Sequence, residues 1–291
     1  MSNRGEHTEL GDFLRARRAE VTPEEVGLPT SGHPRRVTGL RREEVAQLAS
    51  ISVDYYTRIE QGRLAGASAS ALAAIARALR LSLDETRYLH QLAHKSEAPR
   101  RRKRVQQQVH PQTQRLLDNL TDTPALVLGR HMSVLAWNCL AAALYTDFGT
   151  LPLRDRNLLR LTFLDPQIRD LYTDWESAAR NCVAFARMDV AHSPADPELQ
   201  ALVGELSVLD EDFRQWWALH DVAYKTFGTK QFHHAVAGDL TLDWQILTCP
   251  HDPDQSIMVM TAPPGSPSQQ ALRFLISWAT ESGDARHSVQ P

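Results

Sequence analysis

Apolar positions recur at helical spacing through the first third of the chain, and the interruptions mark where helices end. In "LGDFLRARRAE" (10–20), Leu10, Phe13, Leu14 and Arg17 fall three or four apart, predicting a first helix with a basic outer face. "VTPEEVGLPTSGHPRRVTGL" follows, where Pro23, Pro29 and Pro34 forbid one long helix and Gly27, Gly32 and Gly39 supply turns. "LRREEVAQLASISVDYYTRIEQGR" (40–63) reads as two short amphipathic helices closely joined. "SASALAAIARALRLS" (68–82) puts Leu72, Ile75, Ala76 and Leu79 on one face, and in "SLDETRYLHQLAHK" Ser82 and Glu85 have capping-box spacing. Five helices are thus predicted before residue 96.

Past this point the pattern changes. "SEAPRRRKRVQQQVHP" (96–111) has no apolar face and predicts a basic linker between a domain over 8–95 and another over 112–282. "PALVLGRHMSVLAWN" (124–138) predicts two short strands hinged at Gly129. "LLRLTFL", "DLYTDWESAARNCVAFARM" and "DPELQALVGELSVLDEDFRQWWALHD" are helical in period, the last two capped near Asp165 or Asp170 and at Asp196. "KTFGTKQFHHAV", "GDLTLDWQILTC" and "SIMVMTAPP" predict an antiparallel meander, closed by a helix in "SPSQQALRFLISWAT". No repeat is present.

The pair of helices in 40–63 has the arrangement of a helix-turn-helix. Such a motif needs a small residue where the helices touch, a tight turn, apolar inner positions and a free outer face on the second helix. Ala46 is the small contact; Val45, Leu48, Ala49, Ile51, Tyr56 and Ile59 are inner positions; Ser52 is placed as the second helix's N-cap. Val53, Asp54, Tyr55, Thr57, Arg58 and Gln61 remain outside. A helix held out this way enters a DNA major groove about 12 Å wide. Arg58 has the fork for guanine, Val53 or Thr57 the methyl for thymine, and Asp54 either accepts from cytosine or complements the helix dipole. Arg42, at the first helix's start, and Arg35, Arg36, Arg41 and Arg63 are phosphate candidates, as is Ser52 at the second helix's N-terminus.

Charge agrees with this placement. Residues 1–104 carry 19 Lys/Arg against 13 Asp/Glu and the remainder 13 against 22, so a basic module for a polyanion precedes an acidic one. The three cysteines, Cys139, Cys182 and Cys249, lie in no paired spacing. With no signal-like leader and no long apolar run, a cytoplasmic protein without a membrane segment is expected. "CPHDPD" and the His233–His234 pair belong to no metal framework, and neither a nucleophile elbow nor a phosphate-binding glycine loop occurs; neither a metal, a cofactor nor catalysis is expected.

"LGDFLRARR", "GLRREEVAQLASISVDYYTRIEQGR" and "ARALRLSLDETRYLHQLA" resemble the XRE-type helix-turn-helix of the MmyB-like regulators. "LAWNCLAAALYTDF", "RNLLRLTFLDP", "DWESAARNCVAFAR", "LVGELSVLDEDFRQWWALHDV" and "GTKQFHHAVAGDLTLDW" resemble that family's C-terminal ligand-binding domain. The resemblance implies an all-α five-helix DNA-binding domain, then an α+β PAS-like sensor with an antiparallel sheet, a role in transcription, and a fatty-acid-like ligand. Ser50 stands where this motif usually carries Gly, a departure that costs about 1–2 kcal/mol if the residue is left-handed.

A small apolar ligand needs an apolar pocket with a few polar groups. Trp137, Leu140, Leu144, Phe163, Trp175, Phe185, Trp216 and Trp217 are candidates to line it or to fill the core, and His220, Lys225 and His233 are candidate polar groups for a carboxylate. Two functions follow. One is a ligand-responsive regulator, expected as a homodimer on a double-stranded operator because a single small module reads too few base pairs. The other is a protein-interaction module that docks a partner such as a sigma factor through the helix pair.

Overall fold

The computed structural model describes residues 8–29, 38–63, 67–93, 107–192, 196–222, 226–249 and 252–287. It divides into two compact units. The first takes residues up to 102 with two later segments, 187–197 and 215–224; the second takes the rest.

Among the described residues, five α-helices span the part of the first unit up to 102: α1 (Glu9–Glu20), α2 (Arg42–Leu48), α3 (Val53–Glu60), α4 (Ala69–Ala78) and α5 (Leu83–Ala93). Side-chain oxygens start them. Thr8, Ser52 and Ser68 accept from Gly11, Tyr55 and Ala71 N–H, and Ser82 and Glu85 bond each other's backbone at 3.2 and 2.7 Å, the predicted capping box. The apolar stripes meet in one core around Phe13, Leu14, Val45, Tyr56, Ile59, Leu72, Ile75 and Tyr88. Met188, from the first of the later segments, joins it. Gly11 lets α1 lie against α3, since a Cβ there would come within 2.1 Å of the Glu60 carbonyl oxygen.

The second unit is α+β. Strands β1 (Ala125–Leu128), β2 (Val134–Trp137), β3 (Phe227–His234), β4 (Gly238–Thr248) and β5 (Ser256–Thr261) form an antiparallel sheet in the order β2-β1-β5-β4-β3. The last three make the predicted meander, and β1 pairs with β5. β1 is buried along its whole length: Ala125 and Val127 meet Leu117 of α6 (Pro111–Asn119). Burial on both faces is why it reads as an unbroken apolar run. β4 alternates, with Leu240 and Leu242 buried and Asp239, Thr241 and Asp243 exposed.

Helices α7 (Cys139–Leu144), α8 (Leu158–Leu164), α9 (Pro166–Leu171), α10 (Trp175–His192), α11 (Pro197–Leu209), α12 (Glu211–Ala218) and α13 (Pro267–His287) are the remaining α-helices of the described residues. Three details differ from expectation. The stretch from Asp170 yields a helix that starts only at Trp175, with Asp174 accepting from Ser177 N–H at 3.1 Å, while Asp165 caps the separate α9. The helix expected from Asp196 breaks at Asp210, whose carboxylate accepts from Phe213 N–H at 2.7 Å and starts α12. In both places an aspartate inside a periodic run satisfies the N–H groups of a new helix, which periodicity alone does not reveal. The turn between β1 and β2 puts its left-handed residues at His131 (φ 55°) and Met132 (φ 63°), and Gly129 has φ −96°.

Candidate functional site

α2 and α3 form the helix-turn-helix, and its turn is specified residue by residue. Ser50 is left-handed at φ 54°, the position where glycine would be unstrained, and Ile51 N–H returns to the Ala46 carbonyl at 3.0 Å. Ser52 then caps α3. Val45, Ala46, Tyr56 and Ile59 are buried between the helices.

The other side of α3 faces away from that core. Val53, Asp54 and Arg58 are exposed, and Thr57 and Gln61 half-buried. Tyr55 is engaged elsewhere: its hydroxyl accepts from Ser68 N–H at 3.3 Å, tying α3 to the cap of α4. Arg63 is exposed just past the left-handed Gly62 (φ 66°). Arg35 and Arg36, like the basic run at 100–104, lie outside the described residues.

At the N-terminal ends of α2 and α3, a shallow hollow of about 290 Å³ is lined by Arg18, Arg41, Arg42, Glu43 and Val53. Behind it lies a residue not singled out from the sequence. Glu60 is fully buried, and its carboxylate accepts from Arg42 at 3.1 and 2.9 Å and from Arg18 at 3.3 and 3.2 Å. A buried carboxylate is tolerable only when paired. It holds two guanidiniums in fixed places and leaves the group net positive. Arg41 adds a third cation, its backbone N–H capped by Glu44 at 2.6 Å and its side chain exposed beside Glu43. The legible signal was that Glu60 follows Tyr56 by four residues and so shares the inner face of α3. The arrangement suits a phosphate at the arginines and base edges along α3.

The candidate ligand residues fall into both units. Leu140, Leu144 and Phe163 are buried in the second. Trp137 lies against Phe148 at 5.3 Å, Trp175 bonds the Thr162 carbonyl at 2.8 Å and meets Phe163 at 5.7 Å, and Phe185 is half-buried on α10. Trp216 is buried on α12. Trp216, Trp217 and His220 all fall in the first unit instead. There Arg187, fully buried, lies 4.0 Å over the Trp217 ring, donates to the Trp217 carbonyl and pairs with Glu9 of α1. His220 Nδ1 is 3.2 Å from the same Glu9 carboxylate. Burial alone would raise the Glu9 pKa, but the His220 hydrogen bond and the charges of Arg187 and His220 outweigh it and hold it at about 2.

His233 sits on the sheet's exposed face, 2.6 Å from Asp239, and Lys225 is outside the described residues. Within the second unit, burial pushes the Tyr172 hydroxyl well above its usual value and raises the Cys182 thiol. A second hollow, of about 440 Å³, is lined by Glu25, Val26, Leu48, Arg77, Ala78 and Arg80 of the first unit. Neither hollow includes a proposed ligand residue. Among the described residues no cluster of His, Cys, Asp or Glu is placed to hold a metal, and no helix is long and apolar enough to cross a membrane.

Two family models match the chain. One, described as the MmyB-like transcription regulator ligand binding domain, matches residues 109–275, and one described as a helix-turn-helix domain matches residues 9–89. No curated protein matches it.

Proposed function

Because the chain belongs to the MmyB-like transcription regulators, we propose that it binds a specific double-stranded operator as a cytoplasmic homodimer and that a small, fatty-acid-like ligand in its C-terminal domain controls that binding. The observation that carries the DNA half is the projecting α3, with Val53, Asp54 and Arg58 exposed and the Arg18, Arg41 and Arg42 hollow at its N-terminal end. The arginines neutralise phosphates and fix the register, while Arg58, Val53 and Thr57 read base edges. Two copies related by a two-fold axis read half-sites about one helical turn apart, which supplies the specificity one module lacks.

The ligand acts only through its different affinities for two arrangements of the dimer, so filling the C-terminal domain changes the spacing of the two reading helices. Fluorescence anisotropy with a duplex from the protein's own promoter tests the DNA half. Affinity is expected to fall steeply between about 50 and 200 mM salt, and Arg58→Ala to flatten discrimination between operator and scrambled DNA. Binding indifferent to sequence in both proteins would overturn this reading in favour of a docking surface for a protein such as a sigma factor. Native mass spectra of gently purified protein test the ligand half: a co-purifying small lipid supports it, and the bare chain mass counts against it.

A further inference from the structure

The larger hollow of the first unit carries both signs of charge around an apolar centre. The centre is Val26, Leu48 and Ala78, the first two half-buried against the helical core. Its cations are Arg77 and Arg80, at the C-terminal end of α4 and just past it, both exposed. Among the described residues neither is bonded to a carboxylate. Arg80 donates to the Glu25 backbone carbonyl, at 3.4 Å. The acid of the hollow is Glu25, and exposed Glu24 stands next to it in the single helical turn Glu24–Val26. Glu25 Oε2 accepts from the Thr22 N–H and hydroxyl at 2.7 and 3.0 Å, which fixes the carboxylate and leaves Oε1 to a further donor.

Arg80 is left-handed, at φ 53°, where the chain closes α4 and Leu81 N–H returns to the Ala76 carbonyl at 2.9 Å. Glycine closes such a turn without strain, so an arginine kept there costs stability. Three residues on, Leu83 opens α5 with 85% of its surface exposed, the barest large apolar side chain among the described residues. A bare leucine near an apolar hollow is a surface that water disfavours twice over. The hollow shares no residue with the one lined by Arg18, Arg41 and Arg42, so it is separate from the surface assigned to DNA.

Resting on the reading that the protein acts as a homodimer, we propose that the helical domains of two copies pair through this patch about a two-fold axis. Glu24 and Glu25 of one copy face Arg77 and Arg80 of the other, and each Leu83 enters the other copy's hollow. A two-fold interface uses the same patch on both sides, so the patch has to complement itself. This one does, with acids, arginines, an apolar hollow and an apolar side chain to fill it. A phosphate backbone or an acidic protein would be drawn by the arginines and repelled by the two glutamates at the same place. A second copy satisfies both signs. Every contact is made twice across the axis, and the charges fix the orientation of the pair.

Sedimentation equilibrium of the full chain tests the pairing by charge reversal. Wild-type protein is expected to dimerise. One variant combines Arg77→Glu with Arg80→Glu, and a second combines Glu24→Arg with Glu25→Arg. Each is expected to weaken the dimer about tenfold or more, because like charges then meet on both sides of the axis. An equimolar mixture of the two variants is expected to dimerise as the wild type does, since every contact regains its opposite sign. Should circular dichroism show the first variant to be misfolded, Arg77→Ala with Arg80→Ala carries the same expectation of a weaker dimer. A dimer that the reversals leave unchanged, or a mixture no tighter than its separate parts, overturns the proposal and leaves the homodimer reading standing. A wild-type chain that stays monomeric up to about 100 µM counts against both.

Discussion

Ser50 and Glu9 show how much single residues contribute to this fold. Ser50 holds a left-handed conformation that glycine adopts without strain. Ser50→Gly is therefore expected to raise stability by about 1 kcal/mol, read as a higher urea midpoint with an unchanged slope. Glu9 has a folded pKa of about 2 against an ordinary value of 4.5. Its stabilisation is therefore complete above its unfolded pKa and is lost as pH falls through the folded value. Glu9→Gln is expected to cost on the order of 3 kcal/mol near neutrality, and the gap between variant and wild type should close as pH drops from about 5 towards 2. A gap that stayed constant over that range would show that the carboxylate's charge is not what matters. Glu60→Ala should cost about 3 kcal/mol, because it leaves two guanidiniums facing each other without their shared carboxylate.

At the scale of elements, the helix pair of α2 and α3 was almost entirely legible. Its small contact at Ala46, its cap at Ser52 and its inner residues are all set by local spacing and local hydrogen bonds. What spacing could not show was which outward positions are already occupied. Tyr55 sits on the outer arc of α3, yet its hydroxyl belongs to the α4 cap. Arg42, predicted for phosphate, is held by a carboxylate eighteen residues on. Tyr55→Phe is accordingly expected to lower stability by about 1 kcal/mol with little change in operator preference, whereas Arg58→Ala should cost about 1–3 kcal/mol of discrimination with little change in stability. Competition binding and chemical denaturation on both variants check the contrast.

For the whole molecule, the two-part layout, the helical first domain and the meander could all be read from composition and period. The membership of 187–197 and 215–224 in the first unit could not, since it depends on contacts between residues some two hundred positions apart. Arg17 illustrates this: it bonds Glu85 within the helical domain, and also Asp221 and the Leu219 carbonyl, at 2.9, 2.9 and 2.7 Å. A fragment ending at residue 102 lacks those partners, along with Arg187, His220 and the Met188 side chain in the core. It is expected to unfold at lower urea than the same residues do in the full chain, by on the order of 2 kcal/mol. Hydrogen exchange of α1 amides in the two proteins measures the difference.

Because the chain leaves and re-enters the first unit twice, cutting at the basic run does not free a self-sufficient reader. A chimera that joins the first hundred residues to a foreign effector module would inherit a module stripped of its own buttress. To transplant operator recognition intact, an engineer or a recombination event has to carry both later segments along, which makes this architecture poor material for shuffling.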